Sequence, residues 1–188
     1  MRNNILLTCA AVFSLVLLFL LKPSQEALEK KNSLRRPQEY MTNVFITTFT
    51  ETGALKNKLS ALYWAYLPEK EISTLTKPHL TVFKPDGSFW FIHAATGQIK
   101  QPNIGVIDQI TLQQQVVLER PQTTASTAVK LETEELHYQP KKHYAESEKF
   151  VTLTKPGLKI TGTGLRAFLD QSSVELLRDV KTYYTLTR

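Results

Sequence analysis

The sequence predicts an all-β domain carried behind one N-terminal apolar helix. Three observations support this. Residues Ile5 to Leu21 form a single apolar run. From Asn43 onward, short β-branched and aromatic stretches alternate with turn residues. A weak internal repeat has strand starts at Ile72, Ile110, Tyr144 and Val174, with two antiparallel strands in each unit. Stacked units of this kind make a β-ladder or jelly roll rather than a two-sheet immunoglobulin domain.

The elements follow in order. Residues 1–4 form a short tail expected on the cytoplasmic side, and residues 5–22 a transmembrane helix. The run from Ile5 to Leu21 gives roughly 25 Å of helix, just short of a hydrocarbon layer of about 30 Å, and Lys22 can snorkel to close the gap. The competing reading is a cleaved signal peptide. The run ends directly in Lys22-Pro23 without a small-x-small cleavage site, which favours the anchor. Arg2 and the amino terminus favour an inside N-terminus, whereas Lys22, Lys30, Lys31, Arg35 and Arg36 oppose it by the loop-charge rule. A very short N-tail acting as a start-transfer signal places the large domain outside the cytoplasm. Cys9 is the chain's single cysteine, so no intrachain disulfide forms. It follows Thr8 and precedes most of the apolar run, which argues against lipoprotein processing.

Residues 23–42 are polar and mixed in charge and read as a stalk. Residues 43–188 form the β-domain, about 146 residues, enough to bury a core without disulfides. Strands are expected at 44–49, 55–67, 72–83, 89–92, 93–99, 106–118, 129–138, 144–154, 158–169 and 174–186. Turns fall at Glu51-Thr-Gly53-Ala and Pro85-Asp86-Gly87. Pro78 marks an edge or a bulge. Segments 165–170 and 174–179 also fit helical turns, but their neighbours favour strand.

Chemistry is sparse. There is no Gly-x-Ser-x-Gly elbow and no phosphate-binding loop. His79, His93, His137 and His143 match no common metal spacing. Glu132 with Glu134, and Glu146 with Glu148, share strand faces that read as solvated. Accordingly no catalytic residue, metal ligand or cofactor is assigned. The net charge of +6 suits anionic lipid or an acidic partner. No basic segment is interleaved with aromatics, which argues against nucleic acid; Lys141-Lys142-His143 reads as a solvated turn. Aromatics concentrate in the first half: Phe45, Phe49, Tyr63, Trp64, Tyr66, Phe83, Phe89, Trp90 and Phe91. Phe89-Trp90-Phe91-Ile92 is apolar on both faces of one strand, which points to a second buried surface such as a groove between sheets.

The chain resembles the LptC family of lipopolysaccharide export. The resemblance runs through the single N-terminal helix, the stalk, Gly53-Ala-Leu55, Lys77-Pro-His-Leu-Thr-Val-Phe83 and Trp90-x-Ile92-x-Ala94. It continues in Thr133-Glu-Glu-Leu136, Val151-Thr-Leu153, Gly164-Leu-Arg-Ala167 and Val174-Glu-Leu-Leu-Arg-Asp-Val-Lys-Thr-Tyr183. It implies a twisted, open, OstA-like β-jelly roll in the periplasm, anchored in the inner membrane, with no enzymatic activity. It also implies that lipopolysaccharide passes from an LptB–LptF–LptG transporter to periplasmic LptA, which pairs with the C-terminal edge. The Gly162-Thr-Gly164 step departs from the pattern and leaves two candidates for the family's C-terminal glycine.

Strand alternation nominates Phe45, Phe49, Leu80, Val82, Phe89, Phe91, Ile110, Leu112 and Val151 as inward-facing, lipid-contacting residues; a slip of one residue would invert the choice. Gly53, Gly162, Gly164, Val180, Tyr183 and Tyr184 are the docking candidates. The alternative function is a membrane-anchored scaffold that pairs β-edges without binding lipid. A tethered hydrolase is a third reading, and it would need converging polar side chains in a pocket.

Overall fold

Alternating apolar and polar residues, interrupted by Gly, Pro and Asx turns, produce an almost purely antiparallel structure. The computed structural model describes residues 39–100, 107–123 and 127–184. The expected helix over 5–22 and its tail lie outside these residues, as does most of the expected stalk. The strands are β1 (Glu39–Phe49), β2 (Leu55–Leu67), β3 (Ile72–Thr76), β4 (His79–Phe83), β5 (Phe89–His93) and β6 (Thr96–Lys100). They continue as β7 (Gln109–Arg120), β8 (Val129–Gln139), β9 (Tyr144–Lys155), β10 (Leu158–Phe168) and β11 (Ser173–Tyr184). β1 begins four residues before the expected boundary at 43. The two segments that also fitted helical turns lie mainly in β10 and β11.

The expected strand over 72–83 is two strands. Pro78 lacks an N–H and Lys77 has φ 48°, so the ladder breaks between β3 and β4. This break belongs to a line of corners crossing the sheet. Lys77 N–H donates to Ala95 O at 2.8 Å, and Ala95 N–H donates to Gln114 O at 2.9 Å. Asn43 in β1, Gln114 and Gln115 in β7, Gly164 in β10 and Asp179 in β11 also take positive φ. Each long strand therefore contributes one half to each of two layers.

Pairing confirms the division. β2 pairs with β1 on one side; on the other it pairs with β4 at Asn57–Ser60 and with β3 at Tyr63–Leu67. β7 pairs with β8 on one side; on the other it pairs with β6 at Gln109–Gln113 and β5 at Val117–Glu119. The first layer holds β4, β5 and the β2 half next to them, the C-terminal half of β7 and the N-terminal half of β8. The second holds β3, β6 and the remaining halves. β9, β10 and β11 extend both layers in order.

The core lies between the layers. Trp90, Ile92, Ile99, Leu112, Leu118, Leu131, Leu136, Leu165 and Leu169 are almost fully buried. At roughly 1.5–3 kcal/mol per large apolar side chain, this burial drives the two layers together. The corners also reset the alternation. In β8 the buried residues are Val129 and Leu131, then Leu136 and Tyr138; in β10 Gly162 and Gly164 are followed by Leu165 and Ala167. The register shifts put one extra residue in β7 against β8 and one in β9 against β10; β7 and β9 keep their inward parity across the corner, and β8 and β10 exchange odd and even positions.

Candidate functional site

The inner face of the first layer is built in rows by the strand register. One row runs Ile92, Leu118, Leu131, Leu153 and Ile160 across β5, β7, β8, β9 and β10. Every member is Ile or Leu, and all but Ile160 are buried. Beyond this row the interior opens as a cleft of about 250 Å³ beside β11, lined by Trp90, Val129, Leu153, Ile160, Val174 and Leu176, with Arg120, Lys155, Ser172 and Val180 completing it. A second cleft of about 290 Å³ lies beside β1, between Ile46, Phe49, Leu59, Leu80, Ile107 and Ile110. Lys56, Asn57, Pro140 and Lys141 also line it.

Away from the corner line the layers meet at a narrow seam. Trp90 Nε1–H donates to Leu169 O at 3.1 Å, and Lys84 Nζ donates to Ser172 Oγ at 3.0 Å. Lys84 is also paired with Asp86 at 3.1 Å. The side-chain hydrogen bond from Ser88 is the main reason the Asp86 carboxyl is held down to about 2.

The sheet has two free rims. Among the described residues β11 pairs only with β10, and β1 only with β2. On β11, Val180, Tyr183 and Tyr184 are exposed, which leaves an outer edge open to another strand. Gly162 and Gly164 lie in β10 behind this edge. A Cβ on Gly162 would meet Arg178 O at 3.0 Å; one on Gly164 would meet Leu177 side-chain atoms at 3.0–3.3 Å. Gly53 serves the β1–β2 turn, away from both.

The nine nominated inward residues divide. Leu80 and Ile110 are buried and line the cleft beside β1, and Phe49 stands at its rim, 58% exposed. Val82, Leu112 and Val151 are packed in the core. Phe45, Phe89 and Phe91 point outward, correcting the expected orientation: Phe45 is 81% exposed, and on β5 the inward residues are Trp90 and Ile92. Among the described residues the outer side of this strand therefore does not face a second fully buried surface. Phe83, Phe89 and Phe91 instead form an aromatic patch on the outer face, with ring centroids 6.2 and 4.9 Å apart. Alternation missed Trp90, Leu118, Leu131, Ile160 and Leu176. The mixed polarity of β11 concealed Leu176, the equal apolarity of both faces of β5 concealed Trp90, and the parity switches within β8 and β10 hid Leu131 and Ile160.

Several polar groups elsewhere pair with one another. On the outer face of the second layer, Gln109 Nε2 and Thr111 Oγ1 each lie 3.1 Å from His137 Nδ1. The hydrogen bond donated by Gln113 lowers the Glu135 pKa. His79 and His93 stack at 5.7 Å. Among the described residues no His, Cys, Asp and Glu cluster is arranged to hold a metal.

The class this geometry defines is an antiparallel β-jelly roll with an apolar interior, two clefts and, among the described residues, two open rims. The chain belongs to the LptC-related family of lipopolysaccharide-assembly proteins, whose family model matches residues 6–185. Membership places it in lipopolysaccharide transport. No curated protein matches the sequence. Among solved structures it is similar to LptH of Pseudomonas aeruginosa, the LptA homologous periplasmic component of that organism's lipopolysaccharide transport device. The TM-score is 0.54 at 11% identity, over 69% of this chain and 95% of that chain. The likeness is one of fold.

Proposed function

We propose that this chain is a non-enzymatic carrier. In this reading, it is held at the inner membrane by its N-terminal apolar segment, receives lipopolysaccharide from an LptB–LptF–LptG transporter and passes it to an LptA-type periplasmic protein. The observation that carries the reading is the apolar inner row from Ile92 to Ile160, which ends at an open cleft beside a free strand. An acyl chain leaving a bilayer loses about 0.8 kcal/mol per CH₂ in water, and a continuous Ile/Leu lining offsets that loss. The free β11 rim can add a partner strand through main-chain hydrogen bonds. Several acyl chains need more room than either cleft holds. Loading therefore parts the layers, and the Trp90–Leu169 and Lys84–Ser172 seam contacts are the ones to open.

A photocrosslinker at Ile160 or Leu176 should capture lipopolysaccharide while the transporter hydrolyses ATP, and one at Phe45 should not. Capture at Phe45 alone would overturn the reading. A chain that docks its partners but retains no lipopolysaccharide in mild detergent would be the scaffold.

A further inference from the structure

We infer that the cleft beside β11 holds the phosphate-bearing headgroup of its acylated lipid on Arg120 and Lys155. The proposal rests on the carrier reading above and adds an orientation to it. Register places the two cations. Arg120 of β7 pairs with Val129 of β8, and one step beyond the Lys130–Thr154 pair Val129 faces Lys155 of β9. Arg120 and Lys155 therefore flank Val129 at the open end of the layer, two strand spacings or roughly 10 Å apart. Both continue the inward alternation of their strands, Val116 and Leu118 on one and Val151 and Leu153 on the other. The all-apolar row lies directly beneath them. This is the arrangement an anionic amphiphile needs: hydrocarbon below, charge at the mouth.

Among the described residues the cations lack acidic counterparts, and no carboxylate lines the cleft. Lys155 makes no ion pair among the described residues. Arg120 lies over the Trp90 ring at 5.3 Å, and its Nη2 donates to Thr127 O at 3.3 Å. Its Nε is buried and has no hydrogen-bond partner among the described residues. A buried guanidinium donor left unsatisfied is costly, and such groups are rare in native proteins. A phosphate oxygen would satisfy it and supply the missing negative charge. Lys84 reaches the same mouth through Ser172, but Asp86 already neutralises it. In the cleft beside β1, Lys141 is paired with Asp108 at 2.7 Å, and Lys56, which makes no ion pair among the described residues, stands there alone.

The test uses the full chain in mild detergent, titrated with bisphosphorylated lipid A and with the same lipid dephosphorylated. The phosphorylated form should bind about tenfold or more tightly. Arg120→Gln and Lys155→Gln should each remove most of that preference, and Arg120→Lys, which keeps the charge but lacks the Nε–H, should retain only part of it. Lys155 is exposed, so its variant keeps the test valid if Arg120→Gln fails to fold. Equal affinity of the wild-type chain for both lipids would overturn the headgroup site and leave the carrier reading standing. Failure to bind either lipid would overturn both. Displacement of the lipid by millimolar inorganic phosphate would reassign the cations to free phosphate and overturn the lipid assignment.

Discussion

Gly164→Ala tests whether the corner in β10 sets the geometry of the free rim. Gly164 has φ +81°, and the register of β10 against β9 shifts across it. A Cβ in a left-handed conformation costs about 1–2 kcal/mol. The added methyl would also lie 3.0 Å from Leu177 Cδ1, 3.2 Å from its Cβ and 3.3 Å from its Cγ. Leu177 is 36% exposed and can partly yield, so this crowding takes the lower end of the usual overpacking range, about 1 kcal/mol. Together the two effects amount to about 2–3 kcal/mol. For a domain of this size that lowers the melting temperature by roughly 5–10 °C. Thermal and urea unfolding of the full chain in detergent measure it. Gly53→Ala is the control, because Gly53 has φ +83° but nothing within 4 Å of its added Cβ. It should show the backbone part alone. Leu177→Ala removes Cδ1 and Cγ but keeps Cβ, so in the Gly164→Ala background it should recover part of this crowding, less than about 1 kcal/mol. A Gly164→Ala chain as stable as wild type, or one no less stable than Gly53→Ala, would refute the reasoning.

Further outcomes follow from the same structure. Trp90→Phe removes the bond to Leu169 O and should cost about 1–3 kcal/mol in urea unfolding, since the carbonyl is left unpaired in the seam. Leu131→Ala, at 1% exposure in the middle of the apolar row, should cost about 2–5 kcal/mol, whereas Phe45→Ser on the outer face should change stability by no more than about 0.5 kcal/mol. Burial is the first cause that lowers the pKa of both His93 and His143. Below the ordinary histidine value of 6.5 the unfolded chain therefore binds more protons than the folded one. Stability should be full above about pH 6.5, decline as pH falls toward the folded-state values, and then level off for these two groups. His93→Gln should flatten the decline in a pH series of urea melts.

Much of the fold is legible locally. The Glu51-Thr-Gly53 turn and β2 at Leu55–Leu67 follow from glycine, β-branching and alternation over a few residues, and so does the Pro85-Asp86-Gly87 turn. The break at Lys77-Pro78 is signalled by a missing N–H, although its meaning as a corner is not. The faces are a different matter. Phe89 and Phe91 are as apolar as Trp90 and Ile92, so composition gives no reason to choose between them. The choice is made by Leu118 and Leu131 on β7 and β8 and by Leu169 in the turn after β10, which come from distant parts of the chain and are buried on the Trp90 side.

Local chemistry determined by itself the strands, their turns, the lack of a disulfide framework and the apolar character that the family match makes specific. The tertiary structure alone decided which half of each strand joins which layer, which aromatics turn inward, and which cations meet at one mouth. The physical reason lies in the bulges. Alternation has a period of two, and the corners switch the inward parity in β8 and β10 but not in β7 and β9. The inward set therefore depends on the position of every corner, and those positions are set by pairing between segments far apart in the chain.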